Sequence, residues 1–142
     1  MIAIALIGLA ASSTFAVMGK LNEFASVSRL YTSAETVAQN QIDRILTDSP
    51  FNPSWNPPQI PASLIPDSQR GGPLIQNQIP IYTDPVTGEV SVAGTVTTSI
   101  ADTGTSLNGS SLNVYRATVT VNYQFRNRKF SVVMSTMRTS DI

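Results

Sequence analysis

The chain has 142 residues, enough for one domain and too few for two ordinary ones. Its nine basic and nine acidic residues cancel, and charged side chains make up only 13% of it, which argues against nucleic acid as a partner, because phosphate binding needs a clustered excess of Lys and Arg. There is no Cys and no His. That excludes disulfides and thiolate chemistry and removes the commonest general base and metal ligand near neutral pH. An enzyme would have to run on Asp, Glu, Lys or Tyr alone, so no enzymatic activity and no cofactor are expected.

The first charged residue is Lys20. Residues 1–19 are uncharged, and as a helix they span about 28 Å, close to the thickness of a bilayer's hydrocarbon core. A cleavable secretory signal would carry a basic n-region, which is missing, and would be followed by unrelated sequence. Here the helical pattern runs on instead. Phe24, Val27, Leu30, Tyr31, Ala34, Val37, Ala38, Ile42, Ile45 and Leu46 recur in steps of three and four, a stripe down one side of a helix. Pro50, with Asp48 and Ser49 before it, supplies the stop. The pattern predicts one helix over about 1–47, apolar all round over 1–19 and amphipathic over 20–47. Ser12, Ser13, Thr14 and Gly19 are weak helix formers, so bending between Ser12 and Gly19 is expected in an assembled state.

All nine prolines lie between Pro50 and Pro85. Residues 48–78 read as an extended connection, with a turn at Arg70–Pro73. Phe51 and Trp55 are too apolar to remain in water and are expected to pack. A proline-rich ligand for an aromatic groove is the functional alternative for this stretch.

Residues 79–142 carry strand signals. Ile79–Tyr82 leads into a turn over Thr83–Gly88. Val90, Val92, Val96, Thr98 and Ile100 then share one face, with a bulge possible at Gly94. A Gly/Ser/Thr/Asn-rich loop, Ala101–Ser111, follows. Tyr115, Ala117, Val119, Val121, Tyr123 and Phe125 alternate with Arg116, Thr118, Thr120, Asn122 and Gln124, a strand with one dry and one wet face. A hairpin to Phe130–Met137 is expected through a two-residue turn at Asn127–Arg128, setting Phe125 against Phe130, Tyr123 against Val132 and Val121 against Met134. The resulting fold class is α+β, a long helix laid on an antiparallel sheet. The residues expected to join helix to sheet are Phe24, Val27, Tyr31, Ala34, Ala38, Ile42 and Ile45.

No phosphate loop, metal-spaced cluster or nucleophile elbow is present. Asp84 and Glu89 bracket a turn and offer carboxylates to Ca²⁺, although a solvated turn is the plainer reading. Arg116, Arg126, Arg128, Lys129 and Arg138 make the last strands basic. They read as an edge strand guarded by charge, or else as a patch for anionic lipid, DNA or an acidic neighbour.

This layout resembles the type IV pilin and type II secretion pseudopilin family. Met1-Ile2-Ala3-Ile4-Ala5-Leu6-Ile7-Gly8-Leu9-Ala10 is similar to the run that follows the start of mature pilins. Ala34-Glu35-Thr36-Val37-Ala38-Gln39-Asn40-Gln41-Ile42-Asp43-Arg44-Ile45 resembles the later helix of minor pilins and minor pseudopilins. The likeness covers about the first 46 residues in sequence and the rest in layout. The family's cleavage motif and N-terminal glutamate are not in these residues, which open just past where both would stand, so no residue is carried over for that role.

The resemblance implies a structural subunit of a pilus-like or pseudopilus filament. Its partners would be copies of itself or related pilins, in the bacterial inner membrane before assembly and in an extracellular or periplasmic filament afterwards, with adhesion or secretion as the setting. Ile2, Ile4, Leu6, Ile7, Leu9, Phe15 and Val17 would then form the filament-core or membrane face. The alternative is a single-pass, membrane-anchored binding or adhesin-like domain that does not polymerise.

Overall fold

A computed structural model describes residues 2–54, 60, 74–107, 110, 111 and 113–141. Side chains are described for all of these except 2–6, 9, 10, 106, 107, 110 and 111. Trp55 and the turn expected at Arg70–Pro73 lie outside the described residues. Helix α1 covers Ile2–Thr47. It is followed by strands β1 (Leu74–Thr83), β2 (Val90–Asp102), the two-residue β3 (Ser106–Leu107) and β4 (Ser110–Ser111), then β5 (Val114–Phe125) and β6 (Arg128–Thr139). The chain divides into two units, residues 1–32 and residues 33–142.

The first unit is helix throughout. α1 is continuous from Ser12 through Gly19, so the single chain has no break where bending was expected for the assembled state. Further along, Ser26 Oγ donates back to the Asn22 carbonyl at 2.9 Å.

In the second unit the last turns of α1 pack on a four-stranded antiparallel sheet ordered β1-β2-β5-β6, giving the expected α+β fold. Ala34, Ala38, Ile42 and Ile45 are buried on the helix side. The sheet side supplies Val96, Thr98, Ala117, Val119, Val121 and Val132. The small alanines let the helix approach the sheet closely. Where it crosses β2, the amide of Gln41 donates to the Thr98 hydroxyl at 3.4 Å, both residues being buried. A buried amide without such a partner would cost roughly 1–3 kcal/mol.

Three features depart from the expected details. The hairpin turn is Arg126–Asn127, both at positive φ (47° and 63°), so the register is Phe125↔Arg128, Tyr123↔Phe130 and Val121↔Val132. Expectation and outcome differ by two positions along β6. Period-2 alternation fixes which face a side chain takes but cannot separate registers of the same parity. The turn chemistry decides, because a two-residue hairpin of this hand needs two left-handed residues and Asn takes that conformation readily.

Second, β1 begins at Leu74, ahead of Ile79. Leu74–Gln78 has no clean alternation, and the strand is irregular: its ladder with β2 shifts between Gln76 and Ile79 and again on either side of Tyr82, with Gln78 at φ 62°. Gly94 itself lies in a regular stretch of β2, opposite Tyr123. A Cβ there would meet the Asn122 carbonyl oxygen at 2.9 Å and the Ile81 side chain at 3.0 Å, so Gly94 is required for close approach and the bulging lies on its partner strand.

Third, Phe24 and Tyr31, expected against the sheet, are exposed, and Val27 is half-buried. Periodicity cannot tell an apolar stripe used for such packing from one that is apolar on another account.

Candidate functional site

Helix α1 exposes a run of large apolar side chains in its first unit: Ile7 is 70% exposed, Phe15 74% and Phe24 72%, with Val17, Met18 and Leu21 more than half exposed. No one stripe contains them. Consecutive helix positions are about 100° apart, so Val17 and Met18 already face different directions, and Phe15 and Leu21 differ again. These large apolar side chains cover about half of the circumference, with Ser12, Ala16, Gly19 and Lys20 on the other half, and the first charge is Lys20. Each of these side chains transfers about 1.5–3 kcal/mol out of water when covered. Surfaces of this kind mark contacts with other chains or with lipid.

Of the residues expected to make that contact, Ile7, Phe15 and Val17 are on this exposed surface. Ile2, Ile4, Leu6 and Leu9 are helical, and their side chains lie outside the described ones. Among the described residues, no helix is long and apolar enough to cross a membrane.

The other constellations resolve into local structure. Asp84 accepts from the amides of Val86 at 2.8 Å and Thr87 at 3.4 Å, and its backbone N–H donates to the Glu89 carbonyl at 2.9 Å. Its carboxylate therefore closes its own turn. Among the described residues no group of three or more acidic side chains gathers where a metal ion could be held. A shallow groove on the sheet is lined by Asn77, Gln78, Gly94, Tyr123, Lys129 and Phe130. With one charged residue and no nucleophile–base pair, it offers no catalytic geometry.

The basic residues of the last strands do not form one patch: Arg116 is exposed along β5. Arg126, Arg128 and Lys129 cluster at the exposed hairpin tip, where Arg126 stacks on Phe125 at 5.4 Å from the ring centroid. Arg138 is instead turned inward. It donates to the carbonyls of Ile45 and Asp48 at the end of α1, the latter at 2.7 Å, and to both carboxylate oxygens of Asp141 at 2.8 and 2.7 Å. Its guanidinium lies 4.7 Å from the ring centroid of Phe51.

Asp141 also accepts from Ser49 Oγ at 2.9 Å and from the Phe51 amide at 3.0 Å, while its own amide donates to the Phe51 carbonyl. Hydrogen bonds from Arg138, then from Ser49, hold its carboxyl below the usual carboxylate range. Phe51, wholly buried, meets Tyr115 edge-on at 6.0 Å between centroids. This clasp joins the end of α1 to the end of β6. The sequence carried one half of its signal, the expectation that Phe51 packs, but nothing local pointed to partners some ninety residues away.

The chain matches no known family model, no curated protein and no solved structure.

Proposed function

We propose that this chain is a structural subunit of a type IV pilus-like or type II secretion pseudopilus filament, assembling through its apolar N-terminal helix. The observation that carries this reading is the run of exposed Ile7, Phe15, Val17, Met18, Leu21 and Phe24 on a helix whose first nineteen residues bear no charge. Surface of that composition is unfavourable in water, and neighbouring copies of the same helix would cover it. The charge-poor composition and the α+β layout, a long helix with a sheet on its second half, support the same reading. Before assembly the apolar helix is held in the bacterial inner membrane, and afterwards the filament is extracellular or periplasmic. Copies of the chain or related pilins are the partners.

The test uses the full chain purified in mild detergent, then diluted below the micelle threshold and viewed by electron microscopy. Filaments are expected from the wild type. Phe15→Glu places an uncompensated charge in the helix contact, so it should give none while keeping the circular dichroism of the wild type. A wild-type chain that stays monomeric through dilution would refute the proposal and favour a membrane-anchored domain acting alone.

A further inference from the structure

The two edges of the sheet are built differently. β1 contains Pro80, its ladder with β2 is broken by register shifts, and Gln78 adopts φ 62°. Each of these hinders a further strand from docking. β6, at the opposite edge, pairs with β5 at every position from Phe125↔Arg128 to Val114↔Thr139, without a bulge. It contains no proline, and from Phe130 through Met137 it carries no charge. About 40 Å of straight strand therefore lacks the usual devices against edge pairing along its middle.

The hairpin fixes which backbone groups reach that edge. A two-residue turn closes on a hydrogen-bonded pair, here Phe125 and Arg128, so alternate residues from Arg128 onward direct their backbone to β5. The bond from the Ser140 amide to the Asn113 carbonyl, 2.9 Å, keeps the same phase at the far end. Ser131, Val133, Ser135 and Met137 therefore send N–H and C=O outward, and among the described residues no strand pairs with that side. Val133 and Met137 are also more than half exposed.

We propose that β6 pairs antiparallel with β6 of a second copy about a twofold axis at Met134, joining two four-stranded sheets into one of eight strands. Charge excludes two neighbouring arrangements, and an axis at Met134 keeps more of β6 paired than one at Ser135 would. A parallel in-register pair would lay Arg128 and Lys129 beside their equivalents. An antiparallel pair centred on Val133 would set Arg128 against Arg138. Centred on Met134, it sets Val133 against Ser135, Ser131 against Met137, Lys129 against Thr139 and Arg128 against Ser140. No like charges face each other. The outward-directed residues meet one another, so their backbone groups are satisfied.

Both copies carry residues 33–47 of α1 on the same face of the joined sheet, running in opposite directions. The contact is isologous and closes on itself. It is a pairing of heads separate from polar filament growth, and it does not rest on the filament reading.

The chain has no cysteine, so Met134→Cys introduces a single thiol on the axis. There it falls in a non-hydrogen-bonded pair with Cα atoms about 4.5 Å apart, within disulfide reach. With the full chain in detergent under mild oxidant, Met134→Cys should give a disulfide-linked dimer. Ser99→Cys, exposed on β2, should stay monomeric. As a measurement independent of any substitution, the amides of Ser131, Val133, Ser135 and Met137 in the wild type should exchange more slowly as protein concentration rises. A folded Met134→Cys chain that remains monomeric, equal cross-linking at Ser99→Cys, or edge-amide exchange independent of concentration would each overturn the proposal. In a Phe15→Glu background the Met134→Cys cross-link should persist. Its loss there would assign the association to α1 and refute the β6 pairing.

Discussion

The guanidinium of Arg138 donates to the main-chain carbonyls of Ile45 and Asp48, at the end of a helix where unpaired carbonyls and the helix dipole concentrate negative charge. The same group forks onto Asp141 and covers Phe51. A charge read from the sequence as part of a basic patch is thus spent inside the fold. Only three dimensions reveal the difference, because Ile45, Phe51 and Arg138 have no local relation in the chain. The consequence is a pH dependence with a definite sign. Arg138 and Ser49 lower the Asp141 pKa from its ordinary 3.8, so the clasp's contribution is present above about that pH. It is lost as the pH falls further, through the lowered value of the folded state. Acid titration of thermal stability should therefore show a steeper fall below pH 3.8 in the wild type than in Asp141→Asn, with the Asn variant less stable at neutral pH. Parallel curves for the two proteins would show that Asp141 is not coupled to folding.

At the level of elements, the hairpin of β5 and β6 shows where sequence patterns inform and where they stop. Odd–even alternation from Tyr115 to Phe125 identifies the strand and its dry face, and Val119 and Val121 are wholly buried on that face. The same alternation is blind to a two-residue shift, which the turn settles through backbone conformation at Arg126 and Asn127. Asn127, at φ 63°, also accepts a hydrogen bond from the Gln124 amide at 3.2 Å. An alanine there would carry the left-handed penalty of about 1–2 kcal/mol that glycine avoids. Asn127→Ala should lower the stability of the sheet unit by roughly 1 kcal/mol in urea unfolding, with Asn127→Gly close to wild type. If both variants lose equal stability, the Gln124 contact and not the backbone conformation is what Asn127 contributes. Strand β1 was harder to read for the converse reason. Its irregular ladder lets Gln76, Asn77 and Gln78 occupy an edge without the alternation that a regular half-buried strand imprints.

For the molecule as a whole, the two units differ in how much apolar surface their helix segments bury. Residues 33–142 bury Ala34, Ala38, Ile42 and Ile45 of their helix segment, whereas the exposed apolar side chains from Ile7 to Phe24 belong to the other unit. The sequence disclosed that division through one feature, the absence of charge before Lys20, and the stripe that followed concealed it by continuing past the boundary at Thr32. An isolated helix holds its backbone hydrogen bonds only marginally in water, because stability comes mostly from packing. In dispersed chains the amides of residues 7–29 should therefore exchange orders of magnitude faster than those of Val119 and Val121 in the central strand β5. Assembly through α1 would cover that helix and slow its exchange strongly, while β5, already protected, would change little. Hydrogen exchange followed by mass spectrometry on dispersed and assembled chain reads both regions at once. Slowing confined to β6 would mean that assembly runs through the sheet edge, and slowing along residues 7–29 would mean that it runs through the helix.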